Sequence, residues 1–188
     1  MAALEFTRRY AMAHRLIADP TGKCATPHGH NEFVTVRLAP KRTFVFSASN
    51  MDAAFEAVKG GWHAWIDDHV DHALQLYAAV PLIGCFREHE PYRLSRLMVF
   101  PGDPTTEALT AVFFLKLQAF LDADALPYTV AEVRVEETPT NAVRLSAEAF
   151  DAARCGLPTD HWARRADMSI NDFARVTAVG ELAHSGLS

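Results

Sequence analysis

Two histidines, His28 and His30, follow Cys24 in the segment Cys-Ala-Thr-Pro-His-Gly-His. On an extended chain, side chains two residues apart point to the same side. Both imidazoles can therefore share one metal ion. His14 stands at the end of the preceding alternating segment, and an antiparallel return through residues 18–29 would set it opposite His28 and His30. Three neutral imidazoles give a tetrahedral zinc site with one position open, the arrangement of catalytic rather than structural zinc. They accept several other divalent ions as well. Cys24 admits two readings. As a fourth ligand it would close the site and make it structural. As a free thiol beside the metal, with Lys23 favouring the thiolate, it would be a reactive group. Without such company, the same histidines would be a surface pair at a loop–strand junction.

A second constellation is Asp67-Asp68-His69-Val70-Asp71-His72. An Asp–His pair is what a proton relay needs, because the carboxylate orients the imidazole and stabilises its cation. Asp68-His69 and Asp71-His72 compete for that role, and spacing does not separate them. A solvated acidic helix face would read the same way. A third is Val135-Glu136-Glu137-Thr138, where a carboxylate at a strand end could accept two parallel hydrogen bonds from an amidine-like ligand edge or simply lie exposed. Cys85 and Cys155 have no such neighbours and read as buried packing residues or bystanders.

These groups need elements to position them. Residues 4–17 alternate and predict a strand, 18–29 a loop, and the β-branched run to Leu38 a second strand. Ala39-Pro40-Lys41 reads as a turn and Arg42–Ser49 as the return strand of a hairpin. Phe55, Val58, Trp62 and Trp65 recur at helical spacing over 51–66, and the following stretch to Val80 continues as helix or restarts as a second one. Residues 80–91 read as irregular and Tyr92–Phe100 as a strand. Asp103 could cap a helix over 104–122 with Pro104 in its first turn. Leu126–Thr138 alternates as a strand, with Asn141–Leu145 as its partner. Residues 146–188 hold a short helical piece and then a mixed polar tail. The order predicts an α+β fold, an antiparallel sheet with helices on one side. Such a sheet has edges to cover, and oligomerisation is a common answer.

The chain's 188 residues suffice for one sizeable core. With 49% apolar and 22% charged residues, the composition is globular. A net charge of −5 opposes binding to a nucleic-acid backbone. No apolar run approaches the roughly 18 residues of a membrane span, and the N-terminus lacks the layout of a signal peptide. Three widely spaced cysteines argue against a disulfide framework and for a reducing, cytoplasmic setting.

Taken together, the blocks resemble the 6-pyruvoyl-tetrahydropterin synthase family, including its bacterial branch, 6-carboxy-tetrahydropterin synthase of the queuosine pathway. The matching blocks are Ala13-His14-Arg15-Leu16, then Gly22-Lys23-Cys24 with His28-Gly29-His30-Asn31, and Val70-Asp71-His72. Asp103-Pro104-Thr105-Thr106-Glu107 and Val135-Glu136-Glu137-Thr138 follow in the family's order. The resemblance implies a tunnelling fold over residues 1–145, a four-stranded antiparallel sheet with two helices that assembles into an oligomeric barrel, usually a hexamer. It leaves 146–188 as an extension without counterpart. It implies zinc on His14, His28 and His30, Cys24 as general base rather than ligand, and Asp71-His72 as the rest of the proton relay. It gives Glu137 the pterin ring. Active sites between subunits would let Asp71-His72 of one chain serve a neighbour's Cys24. The implied substrate is 7,8-dihydroneopterin triphosphate. One branch of the family eliminates triphosphate to a pyruvoyl product; the other also releases acetaldehyde and leaves 6-carboxy-tetrahydropterin. The chain departs from the family's DHxxLN stretch, reading Asp-His-Ala-Leu-Gln-Leu. That departure and the extra tail leave room for a third reading, a non-catalytic zinc-binding oligomer.

Overall fold

The computed structural model describes residues 3–173. Six strands form one sheet: β1 (Leu4–His14), β2 (His28–Pro40), β3 (Ala73–Tyr77), β4 (Leu97–Phe100), β5 (Tyr128–Thr138) and β6 (Asn141–Ser146). Among the described residues three α-helices accompany it: α1 (Phe55–Trp65), α2 (Leu82–His89) and α3 (Thr106–Ala123). The sheet order is β4-β3-β1-β2-β5-β6. The expected four-stranded antiparallel sheet is present as β1-β2-β5-β6. Two short strands extend it beyond β1, and both run parallel to their neighbours.

Alternation along the strands divides the faces. Tyr10, Met12, Val34, Val36, Leu38, Val133 and Val135 turn inward and are buried. α1 and α3 close over them, with Trp62, Trp65, Phe113 and Leu117 in the same core. α3 carries buried side chains nearly all round, as suits a helix sandwiched between a sheet and further chain. Thr105 caps it by accepting from the Ala108 N–H at 3.3 Å, so Asp103 is not its cap. α2 lies elsewhere: Ile83 packs with Leu76, Val80 and Leu97 in a second, smaller cluster. Leu76 and Leu97 are one residue out of phase with the members of β3 and β4 in the main core, so α2 covers the opposite face at this edge.

Several sequence expectations change. Arg42–Ser49 forms no strand, because β2 is paired along both edges, to β1 and to β5. The helix expected beyond 66 narrows to one π-helical turn, Ile66–Val70, and the chain then becomes β3. Leu74 and Leu76 alternate with Ala73 and Gln75, a strand pattern that a helical reading passes over. Residues 82–89 are helical rather than irregular, and only the last four residues of Tyr92–Phe100 are strand, after a 3-10 turn over Pro91–Arg96. No α-helix forms at 146–155.

The chain after β6 returns to the core. Trp162, Ala163 and Ile170 are buried in the main cluster. Lys116 of α3 is fully buried, and its ammonium donates to the Trp162 and Ser169 carbonyls, both at 3.1 Å, and to Asp167 at 3.2 Å. Burial pulls its pKa down to about 8, although Asp167 opposes that. The part of the expected polar tail beyond 173 lies outside the described residues.

Candidate active site

Antiparallel pairing of β1 and β2 sets His14 opposite His28 and Met12 opposite His30. All three imidazoles lie on the inward face. Gly29 between them is required: a Cβ there would sit 2.5 Å from the Met12 carbonyl oxygen. One ring nitrogen from each of His14, His28 and His30 falls within 4.8 Å of the others. The Nδ1 atoms of His14 and His28 face carbonyl oxygens, of Pro104 at 3.0 Å and Thr26 at 2.9 Å. A carbonyl only accepts, so each Nδ1 carries the proton and each Nε2 is a bare lone pair. Yet those two Nε2 atoms are 3.0 Å apart, and His30 Nε2 is buried without a partner. Burial lowers the His14 pKa, outweighing the Pro104 carbonyl that would raise it, so this ring stays neutral at neutral pH. Lone pairs converging at this distance repel unless a cation sits among them. The carbonyl-held second nitrogens fix ring orientation, as around metal-bound histidines. The residues present fit a divalent ion with three nitrogen donors.

Cys24 sits in a short 3-10 turn over Lys23–Ala25 and is exposed. It lies outside the donor trio. It lines a cleft of about 560 Å3 together with His14, Thr105, Thr106, Glu107 and Glu137. Glu137 reaches this cleft through a bulge: β5 and β6 lose register between Glu136 and Thr138, and a bulge re-aims the side chain it carries. Glu136 instead pairs with Arg134 at 2.8 Å. Glu137 Oε1 accepts from the Thr106 hydroxyl at 2.9 Å and stands 3.9 Å from His30 Nε2.

Asp71 and His72 form a dyad, with His72 Nδ1 2.9 Å from Asp71 Oδ2. The other carboxylate oxygen accepts from the Ala11 N–H at 2.6 Å. Burial pushes the Asp71 carboxyl up, but the bonds from Ala11 and His72 prevail and hold it below its ordinary range. His72 adopts φ 62°, and its side chain is 74% exposed. Neither residue lines the cleft of its own chain. The competing pair is arranged differently. Asp68 accepts from Arg96 through its backbone carbonyl, and His69 lines a separate groove with Leu94, Met168 and Ile170.

Some site residues escape the sequence reading. The Pro104 carbonyl and the Thr106 hydroxyl leave no side-chain pattern to find. Glu32 did leave one, as a charged residue in phase with the apolar positions of β2. It is fully buried, accepts from the Tyr10 hydroxyl at 2.5 Å, and burial raises its pKa to about 7.

With this geometry in view, comparison with known proteins is informative. A family profile described as 6-pyruvoyl tetrahydropterin synthase matches residues 3–148. A probable 6-carboxy-5,6,7,8-tetrahydropterin synthase of Halobacterium salinarum is 34% identical over 133 residues, covering 70% of this chain and 77% of the relative. A 6-carboxy-5,6,7,8-tetrahydropterin synthase of Rickettsia bellii is 26% identical over 139 residues, covering 72% and 95%. Among solved structures, an uncharacterised protein from Wolinella succinogenes aligns with a TM-score of 0.59 at 18% identity, covering 78% of this chain and 99% of that one. The 6-pyruvoyl tetrahydropterin synthase of Caenorhabditis elegans aligns at 0.51 and 22% identity, covering 77% and 94%. These two speak for the fold, a tunnelling fold. The profile spans the segments that carry the histidine trio, Cys24 and Glu137, and on that match the chain belongs to the 6-pyruvoyl tetrahydropterin synthase family.

Proposed function

We propose that this protein is a zinc-dependent lyase that converts 7,8-dihydroneopterin triphosphate and one water to 6-carboxy-5,6,7,8-tetrahydropterin, acetaldehyde and triphosphate. The observation that carries the reading is the convergence of three imidazole nitrogens, one of them on His14, which lines a cleft shared with the Cys24 thiol and the re-aimed Glu137 carboxylate. The two relatives named as 6-carboxy-tetrahydropterin synthases support this branch over the pyruvoyl-forming one.

His14, His28 and His30 would hold the ion. Bound there, zinc supplies Lewis-acid polarisation of the substrate's side-chain oxygens. Glu137, steadied by Thr106, accepts hydrogen bonds from the N–H edge of the pterin ring and sets its side chain toward Cys24. Cys24, as thiolate, takes a carbon-bound proton. Asp71 orients His72, which passes protons to or from the side-chain oxygens. Because this dyad lies outside its own cleft, it acts on the cleft of a neighbouring subunit, in a homo-oligomer, a hexamer by family resemblance. The pathway reading, queuosine synthesis, rests on the same resemblance.

The test is product analysis. Zinc-loaded protein incubated with 7,8-dihydroneopterin triphosphate should release acetaldehyde and triphosphate together, and Cys24→Ala should abolish both. An intact carbon skeleton without acetaldehyde would move the protein to the pyruvoyl-forming branch. No turnover above the Cys24→Ala control would remove the lyase reading and leave a metal-binding oligomer.

A further inference from the structure

Asp103, expected to cap α3, does something else. One of its carboxylate oxygens accepts from the Ile17 N–H at 2.9 Å, the other from the Ala18 N–H at 2.8 Å. The charged acceptor thus clasps two consecutive amides of the loop that carries Cys24, an interaction stronger than a neutral pair of bonds. The loop's other hydrogen bonds run within it, to β1's end and to His28 at the start of β2, while Ile17 packs against the second apolar cluster. The Leu16 N–H donates to the Cys24 carbonyl at 2.9 Å, and Arg15 Nε to the Ala25 carbonyl at 2.7 Å. Asp103 thus hydrogen-bonds it to the segment that opens α3 on the other wall of the cleft.

The residues after Asp103 complete the pattern. The Pro104 carbonyl orients His14, and the Thr106 hydroxyl steadies Glu137. Three residues within a four-residue stretch thus reach the thiol loop, a proposed metal ligand and the proposed ring-binding carboxylate. Their hydrogen bonds fix three groups, which come from distant parts of the sequence, against one short segment.

We propose that Asp103 is a positioning residue, which sets Cys24 in register with the histidine trio and Glu137. It touches neither substrate nor metal. Removing it leaves two loop amides without their acceptor and frees Cys24 to wander, while the Pro104 carbonyl and the Thr106 hydroxyl keep His14 and Glu137 in place. A displacement of about 1 Å in a reacting group can lower turnover by roughly 100-fold. This inference rests on the function proposed above, and part of its test is independent of it.

The experiment compares Asp103→Ala and Asp103→Asn with the parent protein. Three readouts are zinc content, turnover of 7,8-dihydroneopterin triphosphate, and the rate of Cys24 alkylation by iodoacetamide. Alkylation is followed by peptide mass mapping, with the exposed Cys85 as internal reference. In Asp103→Ala, kcat should fall about 10- to 100-fold with KM within about threefold and zinc content unchanged. The ratio of Cys24 to Cys85 alkylation should rise at least threefold. Asp103→Asn retains one acceptor oxygen and should fall between the two, which also covers the case that the alanine variant does not fold. Unchanged kcat together with an unchanged alkylation ratio would overturn the proposal. So would loss of zinc in step with activity, since Asp103 would then act on the trio rather than on the loop. If the parent protein does not turn over the pterin, the alkylation ratio still decides the placement of Cys24, so failure of the lyase reading is seen separately.

Discussion

At the scale of single residues, the dyad exposes a tension between backbone and chemistry. His72 occupies the left-handed region at φ 62°, where a residue with a Cβ is strained by about 1–3 kcal/mol. Its N–H is held by the Ala11 carbonyl at 2.7 Å, so the conformation is imposed by β1. Replacing His72 by glycine removes the strain together with the imidazole. Thermal unfolding of His72→Gly should occur at or above the parent temperature, by up to about 1 kcal/mol of stability, while turnover collapses. Loss of stability alongside activity would show that the ring packs rather than relays. The three histidines were readable from the sequence because a strand's period of two says where i and i+2 point. The choice between Asp68-His69 and Asp71-His72 was not, since both dipeptides carry the same groups. A π-helical turn and one left-handed residue separate them, and neither feature has a signature in residue type.

At the scale of elements, the β1–β2 pairing is the part that positions the trio. Gly29 lets two backbones approach where a methyl group would meet a carbonyl at 2.5 Å. Gly29→Ala should lower stability by about 1–3 kcal/mol and weaken metal binding at the same time, read by thermal unfolding with and without zinc. Wild-type stability and affinity in that variant would show that the strands absorb the methyl group. The strong periodic elements β1, β2, α1, α3 and β5 were legible because burial of one face enforces alternation or helical spacing. β3 reads as helix from its sequence: five residues are too short for its alternation to stand out behind a helical run. Arg42–Ser49 reads as a strand because its residues suit one. Strand formation needs a free edge, and local sequence does not record which edges are already occupied.

At the scale of the whole molecule, the chain after β6 is fastened to the core by a charge. Lys116 is buried among Trp65, Phe120 and Trp162, with its ammonium on Asp167 and two carbonyls. We propose that residues up to 173 are thereby part of the folding unit, although the family match stops at 148. Truncation after 148 would strand the ammonium among apolar groups. It should cost about 3–5 kcal/mol, and Lys116→Met should recover part of that loss in the truncated chain. An equally stable truncated protein would show the segment to be an appendage. The same lysine gives a pH signature. It releases its proton at about 8 when folded but near 10.5 when unfolded, so between those values the unfolded chain binds more protons. Raising the pH through that window therefore favours the folded state through this group, and below about 8, where both states hold the proton, its contribution no longer changes. Urea unfolding at pH 7.5 and 9.5 should show the parent gaining stability relative to Lys116→Met; parallel behaviour of the two would refute the lowered pKa.

The placement of the trio has a consequence for how the molecule is born. All three imidazoles belong to one hairpin formed by the first forty residues, whereas Pro104, Thr106 and Glu137 follow far along the chain. Local contacts form sooner than distant ones, and domains begin to organise from the N-terminal end during synthesis. A ribosome-bound chain therefore presents its three imidazoles well before the segments carrying Pro104, Thr106 and Glu137 exist, so on the proposed reading the metal-binding half is exposed to the cell's divalent ions first.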